Sequence, residues 1–318
     1  MSGDARGGAS PAPPKLSIVI PVFNEAHTLV DLHQRLVRAL KDVGDSYEII
    51  LIDDGSTDGS PGILRALHEQ DRAVRVVRFN RNYGQHVAVF AGMERARGDV
   101  VVTLDADLQN PPEEIPRLLD RLAGGADVVG GSRVDRRDPF FRRAGSWLVN
   151  RVTSAIVGVR MRDYGCMLRA YRRSVVDQIV ACQEISRFIP ALANTFAGSV
   201  AEVPVGHAPR RAGASKYGFF GLLRLNFDLM TGFSLLPIQA VSLAGVLVAV
   251  LGLAFAVFLG LRRLLVGPEV EGVFTLFAIL FFFIGLQILA LGLIGEYVGR
   301  IYQEVRRRPR YVISEVLE

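Results

Sequence analysis

From Leu16 onward, short apolar runs alternate with longer amphipathic stretches. LSIVIPVF (Leu16–Phe23), YEIILIDD (Tyr47–Asp54), VRVVRF (Val74–Phe79), DVVVTLDAD (Asp99–Asp107) and DVVGGS (Asp127–Ser132) predict five strands. They are rich in Val, Ile and Leu with few interruptions, as in strands covered by helices on both faces. Leu29, Leu32, Leu36 and Leu40 recur at helical spacing and predict a helix over Thr28–Val43. Further helices are predicted near Pro61–Gln70 and over Gln85–Ala96. This alternation implies an α/β domain with a mainly parallel sheet. In such sheets ligands bind beyond the carboxyl ends of the strands. Glu25, Asp53, Asp54, Asp105 and Asp107 all fall at such ends, on three different strands.

The pattern changes after Phe233. Ser234–Leu261 and Val273–Ile294 contain no charged side chain, and each is long enough for a transmembrane helix of about 20 residues. The connector Arg262–Gly272 is short, so the two spans are expected to form a hairpin. Arg300, Arg306, Arg307, Arg308 and Arg310 follow the second span. The positive-inside bias then puts both chain ends in the cytosol. Gly218–Phe233 mixes aromatics and Leu with few charges. It reads either as a helix lying on the membrane or as a packed helix of the preceding domain. The expected organisation is a disordered tail over 1–14, a cytosolic catalytic domain over 15–217 and an interfacial helix over 218–233. Spans over 234–261 and 273–294 then flank a periplasmic loop over 262–272, and 295–318 forms a cytosolic tail.

Composition agrees with a membrane segment, since half of the 318 residues are apolar. The charge balance, 37 basic against 32 acidic residues with a net +5, does not call for nucleic acid. It suits a body that faces an anionic lipid surface or an anionic substrate. Cys166 and Cys182 form no CxxC pair and no metal-ligand spacing, and read as reduced, packed thiols. The first 14 residues lack the apolar core of a signal peptide, which predicts that the following domain stays in the cytosol.

The chemistry sits at the strand ends. Asp105 and Asp107 flank Ala106, and strand alternation sends both to one side. Two carboxylates there can hold a divalent cation whose other sites are filled by phosphate oxygens and water. Hard oxygen ligands favour Mg²⁺ or Mn²⁺ over zinc. Gln109 follows on the same parity as a further ligand. Asp53 and Asp54 precede Gly55 and Ser56, a turn whose acids can hydrogen-bond a base and a ribose. Pro21 leads into Asn24 and Glu25, and Glu25 is suited to a ribose hydroxyl or to a helix N-terminus. GxGxxG and GxxxxGK[ST] phosphate cradles are absent from the sequence.

PVFNE, IDDGS and LDADLQNPPE, in this order and at these distances, resemble the family-2 glycosyltransferases of the GT-A fold. The hairpin followed by IGEYVGRIYQEV is similar to the subgroup that glycosylates polyprenyl phosphates. NRNYGQH, DYGCMLRAYRR, FIPALAN and SKY are closest to members that handle 4-deoxy-4-formamido-L-arabinose. The likeness runs from about Lys15 to Val312. It implies a bacterial inner-membrane, multi-pass enzyme that moves this sugar from a UDP donor to undecaprenyl phosphate, for lipid A modification. It also implies a homo-oligomer, a tetramer.

Carried over by position, the resemblance makes Glu25 and Asp54 nucleoside contacts, with Asp53 and Pro21 beside them. Asp105, Asp107 and Gln109 become the metal and diphosphate site. Arg133 becomes a diphosphate or acceptor contact, and Arg142 with Ser146 the grip on the lipid phosphate. Arg210 and Lys216 become a basic clamp on the phosphates. Asp163 matches an Asp of the dolichol branch and is left as an acceptor-orienting group or a weak base. Two stretches depart from the family. Gly213-Ala214-Ser215-Lys216 lacks the acid of the common GESK, and Cys166-Met167-Leu168-Arg169 replaces Ser-Gly-Phe-Arg. The implied reaction is direct inverting transfer. Rival readings are the same chemistry with UDP-glucose or UDP-N-acetylglucosamine, a processive synthase, and an inactive membrane scaffold or nucleotide sensor. Two spans and a single Trp147 outside any QxxRW motif argue against the processive synthase.

Overall fold

The computed structural model describes residues 14–133, 159, 161–182, 188–208, 236–266, 273–306 and 308–318. They divide between two compact units, one within residues 1–222 joined by 309–318, the other within 223–308.

The first unit is built on eight strands: β1 (Leu16–Val22), β2 (Tyr47–Asp53), β3 (Val74–Phe79), β4 (Val100–Thr103), β5 (Val128–Arg133), β6 (Arg169–Arg172), β7 (Val200–Val205) and β8 (Ile313–Leu317). Their order in the sheet is β7-β5-β6-β4-β1-β2-β3-β8. The block β4-β1-β2-β3 is parallel throughout, and β5 pairs with β7 in parallel. β6 is antiparallel to both β4 and β5, and β8 is antiparallel to β3, so the sheet is mixed. The helices are α1 (Leu29–Val43), α2 (Ser60–Gln70), α3 (Gln85–Arg95), α4 (Ile115–Ala123), α5 (Arg173–Ala181) and α6 (Ile189–Phe196).

Alternation within the strands feeds two cores. Leu16, Ile18, Ile20 and Val22 of β1, with Ile49 and Leu51 of β2, face α1, α2 and α4. Val19 of β1, with Ile50 and Ile52 of β2, faces α3, α5 and α6. This period-2 division is why the strands read as continuous apolar runs. On α1, Leu29, Leu32, Leu36 and Leu40 are all buried. Each such Leu contributes about 2 kcal/mol of burial. Gly44 ends the helix in the left-handed conformation, φ 73°. Gly92 of α3 lets that helix lie against β1, since an added Cβ there would stand 2.2 Å from Val19 Cγ1.

Three strands and one strand end differ from expectation. β4 stops at Thr103 instead of reaching Asp107. The Leu104 amide still bonds to the Val19 carbonyl at 3.1 Å, and then the chain turns, with Leu108 at φ 60°. β6 and β7 were hidden by arginines, a Glu and a Pro in their short sequences. Residues 295–318, expected as a tail, include the last turns of a long helix and then β8.

β8 is held tightly. Tyr311 stacks on Phe79 at 4.8 Å between ring centroids, and its hydroxyl donates to Glu94. Burial and the Glu94 carboxylate push the Tyr311 phenol well above its usual pKa. Arg65 forks onto Glu315 with bonds of 3.2 and 2.8 Å. Arg75, almost fully buried, bridges Glu48 at 2.7 Å and also bonds Glu318.

The second unit holds α7 (Leu236–Val266) and α8 (Val273–Val305), 31 and 33 residues long, which pack on each other. Among the described residues one segment, Phe282–Tyr302, is long and apolar enough to cross a membrane, with mean hydropathy 1.7. Ile238–Gly252 is a shorter apolar stretch. Large apolar side chains such as Leu264, Leu265, Phe282 and Ile288 are exposed along these helices.

Deleting residues 309–318 is expected to bare the β3 edge and to take one of its two carboxylate partners from the buried Arg75 guanidinium. Stability of the first unit should fall by more than about 2 kcal/mol, read by chemical denaturation. A deletion variant as stable as the full chain would show that β8 is only appended.

Candidate active site

Because β4, β1 and β2 are adjacent and parallel, their carboxyl ends line up side by side. The acids predicted at those ends are thereby gathered on one edge. The loops that carry them are laced together. After β1, Asn24 adopts φ 58°, and its amide donates to Ser56 Oγ at 3.0 Å. The Asn24 Oδ1 accepts the Thr57 amide at 2.8 Å, and the Glu25 amide donates to Ser60 Oγ at 3.0 Å. Pro21 is buried at the strand end, while Glu25 is partly exposed.

Asp53 and Asp54 are buried, with exposures of 0% and 2%. Asp53 Oδ1 accepts the Ser56 amide at 2.8 Å. Its Oδ2 lies 3.2 Å from Arg78 Nε, an ion pair without hydrogen-bond alignment. Asp54 accepts the amides of Tyr83 at 2.7 Å and Gly84 at 2.9 Å. Asp54 therefore holds the loop after β3 in place, and Asp53 its own turn. Gly55, φ 71°, makes this possible, since a Cβ there would stand 2.4 Å from the Arg81 carbonyl carbon.

The β4 end carries the acid pair. Asp105, Asp107 and Gln109 are partly exposed, whereas Leu104, Ala106, Leu108 and Asn110 are buried. The alternation expected of a strand thus survives in a turn. Asp107 Oδ1 accepts the Gln109 amide at 3.1 Å. Gln85, at the start of α3, donates its side-chain amide to Asp105. Among the described residues no group of three or more His, Cys, Asp or Glu side chains could hold a metal. The donor set is two carboxylates and one amide oxygen, hard ligands that fit a divalent cation sharing its shell with phosphate and water.

Two further segments converge here. The Ala208 amide donates to the Gln109 carbonyl at 2.9 Å, and the Gly206 amide donates to Glu114 Oε1 at 3.1 Å. The chain entering the Arg210–Lys216 stretch is therefore tied to the acidic loop. Thr103 Oγ1 donates to the Met167 carbonyl at 2.6 Å, which ties β4 to the segment following Asp163. At the end of β5, Arg133 binds both oxygens of Asp163, at 2.6 and 2.9 Å. Arg142, Ser146, Arg210 and Lys216 lie outside the described residues.

Cys166 is buried, and burial pushes its thiol up to about 11, so it is an inert packed group. His86 was not among the expected site residues. Its ring packs edge-on against Phe188 at 5.3 Å, and its Nδ1 is shielded without a hydrogen-bond partner. Burial, reinforced by the Arg169 charge, lowers its pKa from 6.5 to about 4. Gln85 was missed as well. Both lie in NRNYGQH, a stretch that carries the family resemblance, but no role was assigned to either; they follow directly on the loop that Asp54 pins.

Residues 17–180, more than half of the chain, match the sequence profile described as glycosyl transferase family 2. The chain belongs to glycosyl transferase family 2. Among curated relatives, the undecaprenyl-phosphate 4-deoxy-4-formamido-L-arabinose transferase of Edwardsiella ictaluri is 53% identical over 95% of this chain and 94% of that protein. The enzyme of the same name from Aeromonas hydrophila is 51% identical, with the same coverage. Among solved structures, glucosyl-3-phosphoglycerate synthase from Mycobacterium tuberculosis, in complex with Mn²⁺, UDP and glucosyl-3-phosphoglycerate, superposes with a TM-score of 0.50. It is 17% identical over 69% of this chain and 78% of that one, a likeness of fold. The family-2 membership and the GT-A-like mixed sheet agree with the expectation drawn from PVFNE, IDDGS and LDADLQNPPE.

The half-buried His86, with its Nδ1 shielded, sets a pH dependence. Its folded pKa is depressed, so the unfolded chain takes up the proton first as pH falls. The stability it contributes is full above pH 6.5 and is lost as pH falls toward about 4. His86→Phe is expected to flatten the loss of Tm across that range. An unchanged slope would mean that the ring is solvated.

Proposed function

We propose that this chain transfers 4-deoxy-4-formamido-L-arabinose from its UDP donor to undecaprenyl phosphate at the cytosolic face of the bacterial inner membrane. The observation that carries this reading is the edge on which three adjacent parallel strands present Glu25, Asp53, Asp54, Asp105 and Asp107. Identity of 53% to a relative named for that reaction, over 95% of the chain, supports the choice of donor and acceptor.

In this reading Glu25 faces the ribose, while Pro21, Asp53 and Asp54 form the floor beneath the nucleoside. Asp105, Asp107 and Gln109 would hold Mg²⁺ or Mn²⁺, which supplies charge neutralisation of the departing diphosphate. Arg133 contacts the donor diphosphate. Arg142 and Ser146 grip the lipid phosphate, and Arg210 with Lys216 clamp the phosphates of both substrates. The bond from the Ala208 amide to the Gln109 carbonyl ties the chain that leads to Arg210 to the acidic loop, which supports this role.

A phosphate oxygen of the lipid attacks the anomeric carbon as the bond from that carbon to the UDP oxygen breaks. UDP leaves with the bonding electron pair, and the configuration inverts. A phosphate monoester has a second pKa near 6, so the nucleophile is already an anion at neutral pH and no strong base is required. Catalysis rests on positioning and on cationic stabilisation of the leaving group.

α7 and α8 form a two-span hairpin in this reading, preceded by an interfacial helix over 218–233, with the periplasmic connection falling between Val266 and Val273 because 262–266, expected in the loop, continue α7. Their exposed apolar side chains and the Arg-rich segment beyond α8 support it. The lipid chain stays in the bilayer while its headgroup reaches the acidic edge. A tetramer completes the assembly.

Detergent-purified protein, undecaprenyl phosphate and Mn²⁺ are combined with a panel of UDP-sugars, following UDP release and lipid product. The formamido-arabinose donor alone should give product, and Asp107→Ala should lower turnover roughly a hundredfold or more. Turnover of UDP-glucose or UDP-N-acetylglucosamine instead would keep the reaction class and discard the donor. Equal activity in the variant would overturn the metal site.

A further inference from the structure

The pair formed by Arg133 and Asp163 is built with more care than a surface ion pair needs. Asp163 is only 3% exposed. Its carboxylate takes Arg133 Nε at 2.6 Å and NH2 at 2.9 Å, and also accepts the Gly165 amide at 3.1 Å. Its backbone is fixed on both sides. The Asp163 amide donates to Glu202 Oε1 at 3.1 Å, and its carbonyl accepts from the buried Arg169 at 3.0 Å. Gly165 leaves room for the fork, since a Cβ there would stand 3.1 Å from Arg133 NH2.

The same geometry argues against Asp163 as a base. Both oxygens already accept hydrogen bonds from a cation, and the group is closed off from an incoming phosphate. Arg133 is the group left able to act. A guanidinium has five N–H donors, and Asp163 occupies two of them, along one edge. The Nη1/Nη2 end of the group keeps a planar pair of donors that matches a phosphate.

The direction of that edge follows from the sheet. Arg133 is paired with Val205 in the β5–β7 ladder. The residues directly after Val205 are those bonded to Glu114 and to the Gln109 carbonyl. Arg133 therefore stands beside the strand that runs into the acidic loop. The Asp105 charge acts on its guanidinium, in keeping with that position.

We propose that Asp163 is a positioning residue, a buried brace that holds the Arg133 fork toward the donor diphosphate. The inference rests on the nucleotide-sugar reading of the site and assigns Asp163 no proton transfer.

The test is UDP affinity of the full-length protein in Mn²⁺, measured by calorimetry for wild type, Arg133→Gln, Asp163→Asn and the double variant. Arg133→Gln should weaken UDP binding by about ten- to a hundredfold. Asp163→Asn should weaken it by roughly tenfold alone and by less than about twofold in the Arg133→Gln background. In steady state, Asp163→Asn should raise the KM for the UDP-sugar and leave the KM for undecaprenyl phosphate unchanged. Additive effects on UDP binding would overturn the brace. So would an Asp163→Asn variant that binds UDP normally yet turns over slowly, the signature of a base. If Asp163→Asn does not fold, Gly165→Ala carries the test, because it displaces the fork without removing a charge. It should weaken UDP binding severalfold, and unchanged affinity would contradict the proposal. A wild-type protein that binds no UDP would overturn the donor reading and this inference with it, whereas additive variants overturn the inference alone.

Discussion

Acids placed at the ends of buried parallel strands must find partners, and the rest of the site depends on how they do so. Asp54 is buried at the end of β2 and binds the amides of Tyr83 and Gly84. A buried carboxylate without such partners would cost several kcal/mol. The requirement therefore pins the loop after β3 against the loop after β2, with Gly55 clearing the space between them. Asp53 braces its own turn through Ser56, and Ser56 in turn holds Asn24. Once these loops are fixed, Gln85 at the start of α3 meets Asp105. The partly exposed acids Asp105 and Asp107 thus stand on a frame made by the buried ones.

The antiparallel strands extend that frame. β6 lies between β4 and β5 and brings the segment following Asp163 under the acidic loop, where the Met167 carbonyl meets Thr103. β7 then delivers Gly206 and Ala208 to Glu114 and Gln109. At the far edge, Tyr311 stacks on Phe79, which also meets Tyr83 edge-on at 5.7 Å. The segment leading into β8 is therefore packed behind the loop that Asp54 holds.

The parallel block was legible in the chain because its strands are apolar and buried on both faces, and α1 carries a clear Leu stripe. β6, β7 and β8 were not, because RAYR, VAEVPV and ISEVL are short and mix charge or Pro into the run. The acidic edge was legible from the spacing of Asp105, Asp107 and Gln109, although the backbone there is a turn instead of a strand. The local duties of Asp54 and Asp163 were not, because their partners lie about thirty positions away in sequence, at Tyr83, Gly84 and Arg133. No local pattern encodes such a contact; only the strand order does.

In the proposed site two carboxylates and one amide oxygen are too few donors to hold a divalent cation firmly, and the donor diphosphate would have to complete the shell. The most direct test is the thermodynamic linkage between the two ligands, with Mn²⁺ titrated by electron paramagnetic resonance in the absence and presence of UDP. Saturating UDP should tighten Mn²⁺ binding by at least about tenfold, with phosphorus coupling on the bound metal, and reciprocity requires Mn²⁺ to tighten UDP equally. Mn²⁺ that binds with the same affinity whether or not UDP is present would contradict the shared site.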